Sequence, residues 1–403
     1  MRDVTLAVVT ALSPSPTTLS EYGLHLLRAL GRKRGLRVVA LVEDRPDADY
    51  PDIPGVEIVP AWRFDSLSNP LRIARAARRV GADVVLFNAH FTSFGARKVP
   101  ATLGLLTPLV VRGSGSRSIT LLHNIVETVD LGAAGFGASP LMERLLRTVG
   151  SVVTWLVLRS NLVTTTMPAY VDVLRSKYRA TNVALTPHGA FELPAPPRPP
   201  THRTRVMTFG KFGTYKRVEV VIEALGLLDR PEVELVVAGT DSPNTPGYLA
   251  EVERGMADPS GVRFTGYVAE EDVEAVFRDA ALTVFPYTAT TGSSGVLHQA
   301  GSYGCTPVLP RIGDLEGLIR EEGFDGVFFE PGDPVDLARA IASVLDDDVR
   351  RAAIAAHNHR AASGLPIDDV ADWYLVHIAR LAGRAPTALL QSTARDTEVD
   401  GAL

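Results

Sequence analysis

Short apolar runs, each followed by a stretch with apolar residues at helical spacing, recur along this chain. That alternation limits the fold more than any other feature. VTLAVVTAL (4–12), LRVVALVED (36–44) and ADVVLFNAH (82–90) read as strands, and LSEYGLHLLRALGRK (19–33) and the basic LRIARAARRVG (71–81) read as helices. SITLLHN (118–124) and NLVTTTM (161–167) continue the strand series, with a long helix near 139–159 between them. Strands that alternate with helices form a parallel sheet covered on both faces.

ELPAPPRPPTHRTR (192–205) interrupts the series. Its prolines cannot continue a helix or donate to a ladder, so it reads as a linker. The alternation restarts at VMTFG (206–210) and runs to a helix at 334–346. The predicted architecture is α/β: two Rossmann-like doubly wound domains, 1–191 and 206–365, facing a central cleft. A helix at 366–382 is expected to pack back toward the first domain, and the polar tail 383–403 to be disordered. In open parallel sheets ligands bind beyond the carboxyl ends of the strands, so the loops after strands are where chemistry is sought.

Composition serves mainly to exclude. Of 403 residues, 46% are hydrophobic and 22% charged, as in soluble globular proteins. The single cysteine, Cys305, excludes an internal disulfide framework and cysteine zinc sites, and suggests a reducing, cytoplasmic setting. MRDVTLAVVT reads as a first buried strand and not a signal peptide, and the longest apolar piece, VGSVVTWLVL (149–158), is too short for a spanning helix. Residues 1–195 carry 22 basic and 15 acidic residues, whereas 196–403 carry 19 and 31. The basic half includes Arg72, Arg75, Arg78 and Arg79 on one helix. It also holds Arg97, Lys98, Arg112 and Arg117 in a Gly/Thr/Ser-rich region, 95–117, expected to include a mobile acceptor loop. Peripheral contact with an anionic membrane surface is one reading and a solvated helix face the other. The acidic balance and the lack of aromatic–basic interleaving argue against nucleic acid.

Three strand-end loops of the second half stand out. In TFGKFGTYKR (208–217), Gly210 lets backbone approach a ligand, and Lys211 and Lys216 supply two ammonium groups suited to a diphosphate. VVAGTD (236–241) ends a strand on Gly239. FPYTATTGSSGVLHQAGSYG (285–304) puts Thr291, Gly292, Ser293, Ser294 and Gly295 before a helix, whose free N–H groups and positive dipole end suit an anion. Taken singly, each of these has an ordinary reading as surface lysines, a tight strand exit or a capped helix.

Together, in order and spacing, the three loops resemble the nucleotide-sugar domain of the GT-B retaining glycosyltransferases of family 4. GKFGTYKR matches that family's G-[RK]-x(4)-K-G at Gly210, Lys211 and Lys216, with Arg217 in place of the last glycine. FTGYVAEEDV (264–273) matches F-x-G-x-[VL] before an acidic helix and brings in Tyr267 and Val268. The 285–310 stretch follows the frame of the motif that carries the family's paired glutamates, which fall on Thr291 and Gln299. Gln299 can still hydrogen-bond a ribose, but Thr291 is shorter and uncharged, so donor-sugar recognition differs. The family's first-domain glycine pair falls near Thr17 and Thr18.

The resemblance implies sugar transfer with retention from a nucleoside-diphosphate sugar to a glycan, lipid-linked or small-molecule acceptor. It implies a histidine beside the donor sugar, matched by His123 in LLHN, with His90 a second candidate and His188 shaping the hinge. The Asp-x-Asp within DADYPD (47–52) reads as a solvated acidic turn, so no metal and no cofactor is expected. Lys211, Lys216 and the helix start at 293–295 would take a metal's place, at a few kcal/mol per donor group. A nucleotide-sugar epimerase and a non-catalytic nucleotide-sugar-binding or scaffold subunit remain as alternatives.

Overall fold

The computed structural model describes residues 3–13, 15, 19–46, 48–127, 140–191, 196–213, 215–242, 245–289 and 293–386. They fall into two compact units: the first holds the described residues up to 127, Arg144–Gly189 and those from Ile367, and the second holds residues 140–143 and Ala190–Pro366.

The first unit begins β1 (Val4–Val9), α1 (Ser20–Gly31), β2 (Leu36–Glu43), β3 (Val56–Trp62), α2 (Asn69–Arg79) and β4 (Val84–Ala89). It continues α3 (Lys98–Leu105), α4 (Thr107–Gly113), β5 (Arg117–Leu122), α5 (Pro140–Val157), β6 (Leu162–Thr165), α6 (Pro168–Tyr178) and β7 (Val183–Leu185). Its sheet is parallel throughout, in the order β3-β2-β1-β4-β5-β6-β7. The apolar runs are strands buried on both faces: every residue of β1 and of β4 is buried.

The structure adds one strand that the sequence reading passed over and gives helices where it expected a loop. VEIVPAW is strand β3, although it contains Pro60; it lies at the sheet edge, where proline's missing N–H is tolerated. The region 95–117, expected to include a mobile acceptor loop, holds α3 and α4. Pro108 occupies the first turn of α4, where its fixed φ suits a helix. Gly104 is a packing contact, since a Cβ there would lie 2.3 Å from the Phe94 ring.

The second unit contains β8 (His202–Phe212), α7 (Val218–Leu228), β9 (Glu234–Asp241), α8 (Tyr248–Gly255), β10 (Val262–Gly266), α9 (Glu270–Asp279) and β11 (Ala280–Val284). After these come α10 (Gly295–Tyr303), β12 (Thr306–Pro310), α11 (Gly313–Glu322), β13 (Val327–Phe329), α12 (Pro334–Leu345) and α13 (Asp348–Ser363). Its parallel sheet has the order β10-β9-β8-β11-β12-β13. β8 starts at His202, so the last residues of the proline-rich stretch are already strand. The doubly wound α/β expectation therefore holds for both units. In each, the strand order reverses beside the first strand, β1 or β8, which is where such sheets hold ligands.

Burial raises the Cys305 thiol to about 12, so it stays protonated and unreactive. Among the described residues, no helix is long and apolar enough to cross a membrane. The tail from 387 onward lies outside the described residues.

The chain re-enters the first unit with α14 (Ile367–Leu381), which packs on α1. The Tyr374 hydroxyl is buried 3.1 Å from Thr164 Oγ1. Lys33, with a side chain only 8% exposed, places its ammonium 2.6 Å from Asp372 Oδ1 and donates to the Asp368 carbonyl at 3.3 Å. Removing one partner of a buried charge costs more than removing both. Asp372→Ala is expected to lose about 1–3 kcal/mol in urea denaturation. Lys33→Met, which removes the charge with its need for a partner, should cost less; the reverse ranking would contradict this role.

Candidate functional site

In the second unit the candidate residues gather at the carboxyl ends of β8 and β9. Gly210 and Gly239 sit opposite each other in the ladder, with φ of +137° and +135°. A Cβ on Gly239 would lie 1.9 Å from the Gly210 carbonyl oxygen. Both positions therefore require glycine, and the backbone is bare where the two strands leave the sheet. The Gly239 N–H donates to Thr265 Oγ1 at 3.3 Å, which ties β10 to the same point.

Beyond β8 the chain makes a clip. Gly213 and Lys216 exchange backbone hydrogen bonds of 3.0 Å in both directions, and Lys216 bridges to Tyr287. The Arg217 N–H donates to the Pro286 carbonyl at 2.9 Å, and Thr288 N–H to that of Tyr215 at 2.8 Å. The loop after β8 is thus fixed to the loop after β11, across the reversal in strand order.

The clip aims Lys216 inward. Its Nζ lies 4.7 Å from the Tyr287 ring centroid and 5.9 Å from that of Tyr215, and 3.0 Å from where a Gly210 Cβ would be. Burial pulls its pKa down, but the Tyr287 and Tyr215 interactions outweigh this and leave it raised, so the group remains an ammonium. Lys211 is half-buried on β8, in register with Thr240. Arg217, in place of the expected glycine, is ion-paired with Glu219, which also accepts from the Tyr248 hydroxyl.

Helix α10 starts at Gly295 after Ser294, whose side chain makes no capping bond. Among the described residues, the Ser293 hydroxyl is buried without a hydrogen-bond partner. Gln299 is buried on α10, Tyr267 is 76% exposed and Val268 is half-buried. Thr291, Gly292, Thr17 and Thr18 lie outside the described residues.

One residue here escaped the sequence reading. His298 is 1% exposed; its Nδ1 lies 2.9 Å from the Ser294 carbonyl oxygen and its Nε2 2.7 Å from Glu322 Oε2. Burial lowers its pKa, but Glu322 and the Ser294 carbonyl more than compensate, so the net shift is upward. His298 thus links Ser294, the residue before α10, to Glu322. No local signal marks it, because Glu322 lies on α11.

In the first unit, His123 follows β5 and its N–H donates to the Ala89 carbonyl at 3.1 Å. Its Nε2 is 2.7 Å from Asn88 Oδ1 at the end of β4, and its ring meets that of Tyr22 edge-on at 4.8 Å. His188 meets the same tyrosine at 4.8 Å. Burial, with His90 nearby, lowers the His123 pKa to about 3. His90 Nδ1 accepts from the Thr92 N–H at 3.0 Å. Among the described residues, no group of three or more His, Cys, Asp or Glu could hold a metal ion.

Comparisons bear on both units. Residues 203–347 match the family Glycosyl transferases group 1. The D-inositol 3-phosphate glycosyltransferase of Corynebacterium kroppenstedtii is 30% identical over 164 residues, 38% of this chain and 36% of the relative. That of Salinispora tropica is 28% identical over 169 residues, 40% and 34%. The match thus spans about a third of the length of these curated relatives. Among solved structures, the Anabaena protein HepE, in complex with UDP and glucose, superposes with a TM-score of 0.68 at 18% identity, covering 92% of this chain and 97% of that one. Sucrose-phosphate synthase from Thermosynechococcus elongatus does so with 0.70 at 15% identity, with the same coverages. At these identities the likeness establishes the fold.

The His298 contacts carry a pH signature. A folded-state pKa above the unfolded 6.5 means the stabilisation is full below that pH and fades as the pH rises through the folded value. In thermal melts, the stability lost on His298→Leu should be largest in acid and shrink toward alkaline pH. A loss independent of pH would contradict the charged pairing.

Proposed function

Residues 203–347 form a group 1 glycosyl transferase domain and the two sheets have the GT-B fold of family 4-like glycosyltransferases; from this premise we propose that the protein moves a sugar from a nucleoside-diphosphate sugar to an acceptor hydroxyl. The acceptor is a glycan, a lipid-linked glycan or a small molecule. The transfer proceeds with retention and without a divalent metal.

The observation that carries this reading is the Lys216 ammonium lodged against the bare Gly210 backbone, with α10 following the loop that leaves β11, the neighbour of β8 across the strand-order reversal. A diphosphate placed there meets a fixed cation, close backbone and the positive end of a helix. Those groups are in place before reaction, so they stabilise the charge that develops on the leaving diphosphate without reorganising. Lys211 is assigned to the same diphosphate, Gln299 to the ribose and His123 to the donor sugar. The choice of a nucleoside-diphosphate sugar is supported by HepE, solved with UDP-glucose. The curated relatives, named for D-inositol 3-phosphate, support a hydroxyl acceptor.

A thermal-shift screen against UDP, GDP, dTDP and ADP in EDTA tests this, since a bound ligand raises the melting temperature by mass action. At least one nucleotide should raise it, and Lys216→Met should weaken that nucleotide about 10- to 100-fold, as expected for loss of a charged hydrogen bond. Slow donor hydrolysis should accompany binding and persist in EDTA. Equal binding by the variant, or turnover abolished by EDTA, would reject the proposal, and binding with no turnover would favour the non-catalytic subunit.

A further inference from the structure

We propose that Asn88, its amide oriented by Thr10 and the Leu19 carbonyl, is the positioning residue that holds His123 as the neutral Nε2–H tautomer, so that it meets a sugar hydroxyl as a hydrogen-bond acceptor through Nδ1 and never as a proton donor. The use of Nδ1 rests on the glycosyl-transfer reading; the tautomer does not.

The chain of hydrogen bonds has a fixed direction. It ends at the Ala11 carbonyl oxygen, which can only accept, so the Thr10 hydroxyl, 3.1 Å away, donates to it. Thr10 Oγ1 then accepts from Asn88 Nδ2 at 3.0 Å. The Leu19 carbonyl oxygen, 3.5 Å from the same Nδ2, makes the amide orientation independent of Thr10, because a flipped amide would set two oxygens face to face. Asn88 Oδ1 must therefore face His123, and Nε2 at 2.7 Å must be the donor. With Nε2 protonated and the ring neutral, Nδ1 carries the lone pair.

Three features show that the arrangement is built in. Thr10, Asn88 and His123 follow or end β1, β4 and β5, neighbours in the sheet at its strand-order reversal. Thr10 and Asn88 are each 2% exposed, so water cannot substitute for the partners. Gly23 of α1 lies over the far end: a Cβ there would be 2.3 Å from Thr10 Oγ1 and 2.9 Å from the Ala11 oxygen. Among the described residues, Tyr22 on α1 and His90 act on His123, and His188 meets the same tyrosine. None of them is a carboxylate, and burial reinforces the neutral ring.

The test is the histidine nitrogen spectrum of the full chain, labelled with 15N-histidine and assigned with His123→Gln. Wild type should show a protonated Nε2 and an unprotonated Nδ1 that stay unchanged from pH 8 to pH 5. Asn88→Asp places a carboxylate at Nε2 and should raise the pH at which His123 titrates by about 1–3 units. Thr10→Val should leave the tautomer in place, because Leu19 still orients the amide; Asn88→Leu should release it to a mixture. A protonated Nδ1 in the wild type, or an Asn88→Leu spectrum identical to wild type, would overturn the proposal. If the spectra agree while His123→Gln transfers sugar at the wild-type rate, the tautomer stands and the glycosyl-transfer role of His123 falls.

Discussion

Where β8 and β9 leave their sheet there is no room for a side chain between them. The Gly210 carbonyl occupies the space a Cβ on Gly239 would need. The bare backbone at this point admits the Lys216 ammonium against Gly210, and the clip from Gly213 to Lys216 can close against Tyr287. A side chain at either glycine would push the cation away and separate the loops that follow β8 and β11.

The two units handle charge differently. In the second, the surroundings favour the charged form: aromatic rings face the Lys216 ammonium and Glu322 faces His298. In the first, the histidine at the strand ends is kept neutral, beside an amide in place of a carboxylate. A cation is suited to a diphosphate and a neutral acceptor to a hydroxyl, the two uses that the proposed sugar transfer makes of them.

Much of the architecture was legible because strands buried on both faces must be almost continuously apolar, as VTLAVV and VVLFNA are. Gly210 and Lys216 stood out within one loop and Gly239 at the end of another strand, and the ladder sets the two glycines opposite each other. The errors have physical causes. Gly104 and Thr102 read as loop residues, although one is a packing contact and the other lies within α3. Pro60 hid an edge strand. His298–Glu322 and Thr10–Asn88–His123 were invisible because their members are 24, 78 and 35 positions apart and meet only through the fold. Thr17, Thr18, Thr291 and Gly292 stay expectations drawn from the resemblance.

The central claim is that a pyrophosphate binds at the carboxyl ends of β8 and β11, on the Lys216 ammonium and the first N–H groups of α10. A crystal structure of the protein soaked with UDP in the presence of EDTA tests it most directly. Both phosphorus atoms should lie beside Lys216 Nζ and the amides that open α10, with no metal density between them. Diphosphate density elsewhere in the molecule, or at this place only when a divalent ion is restored, would contradict it.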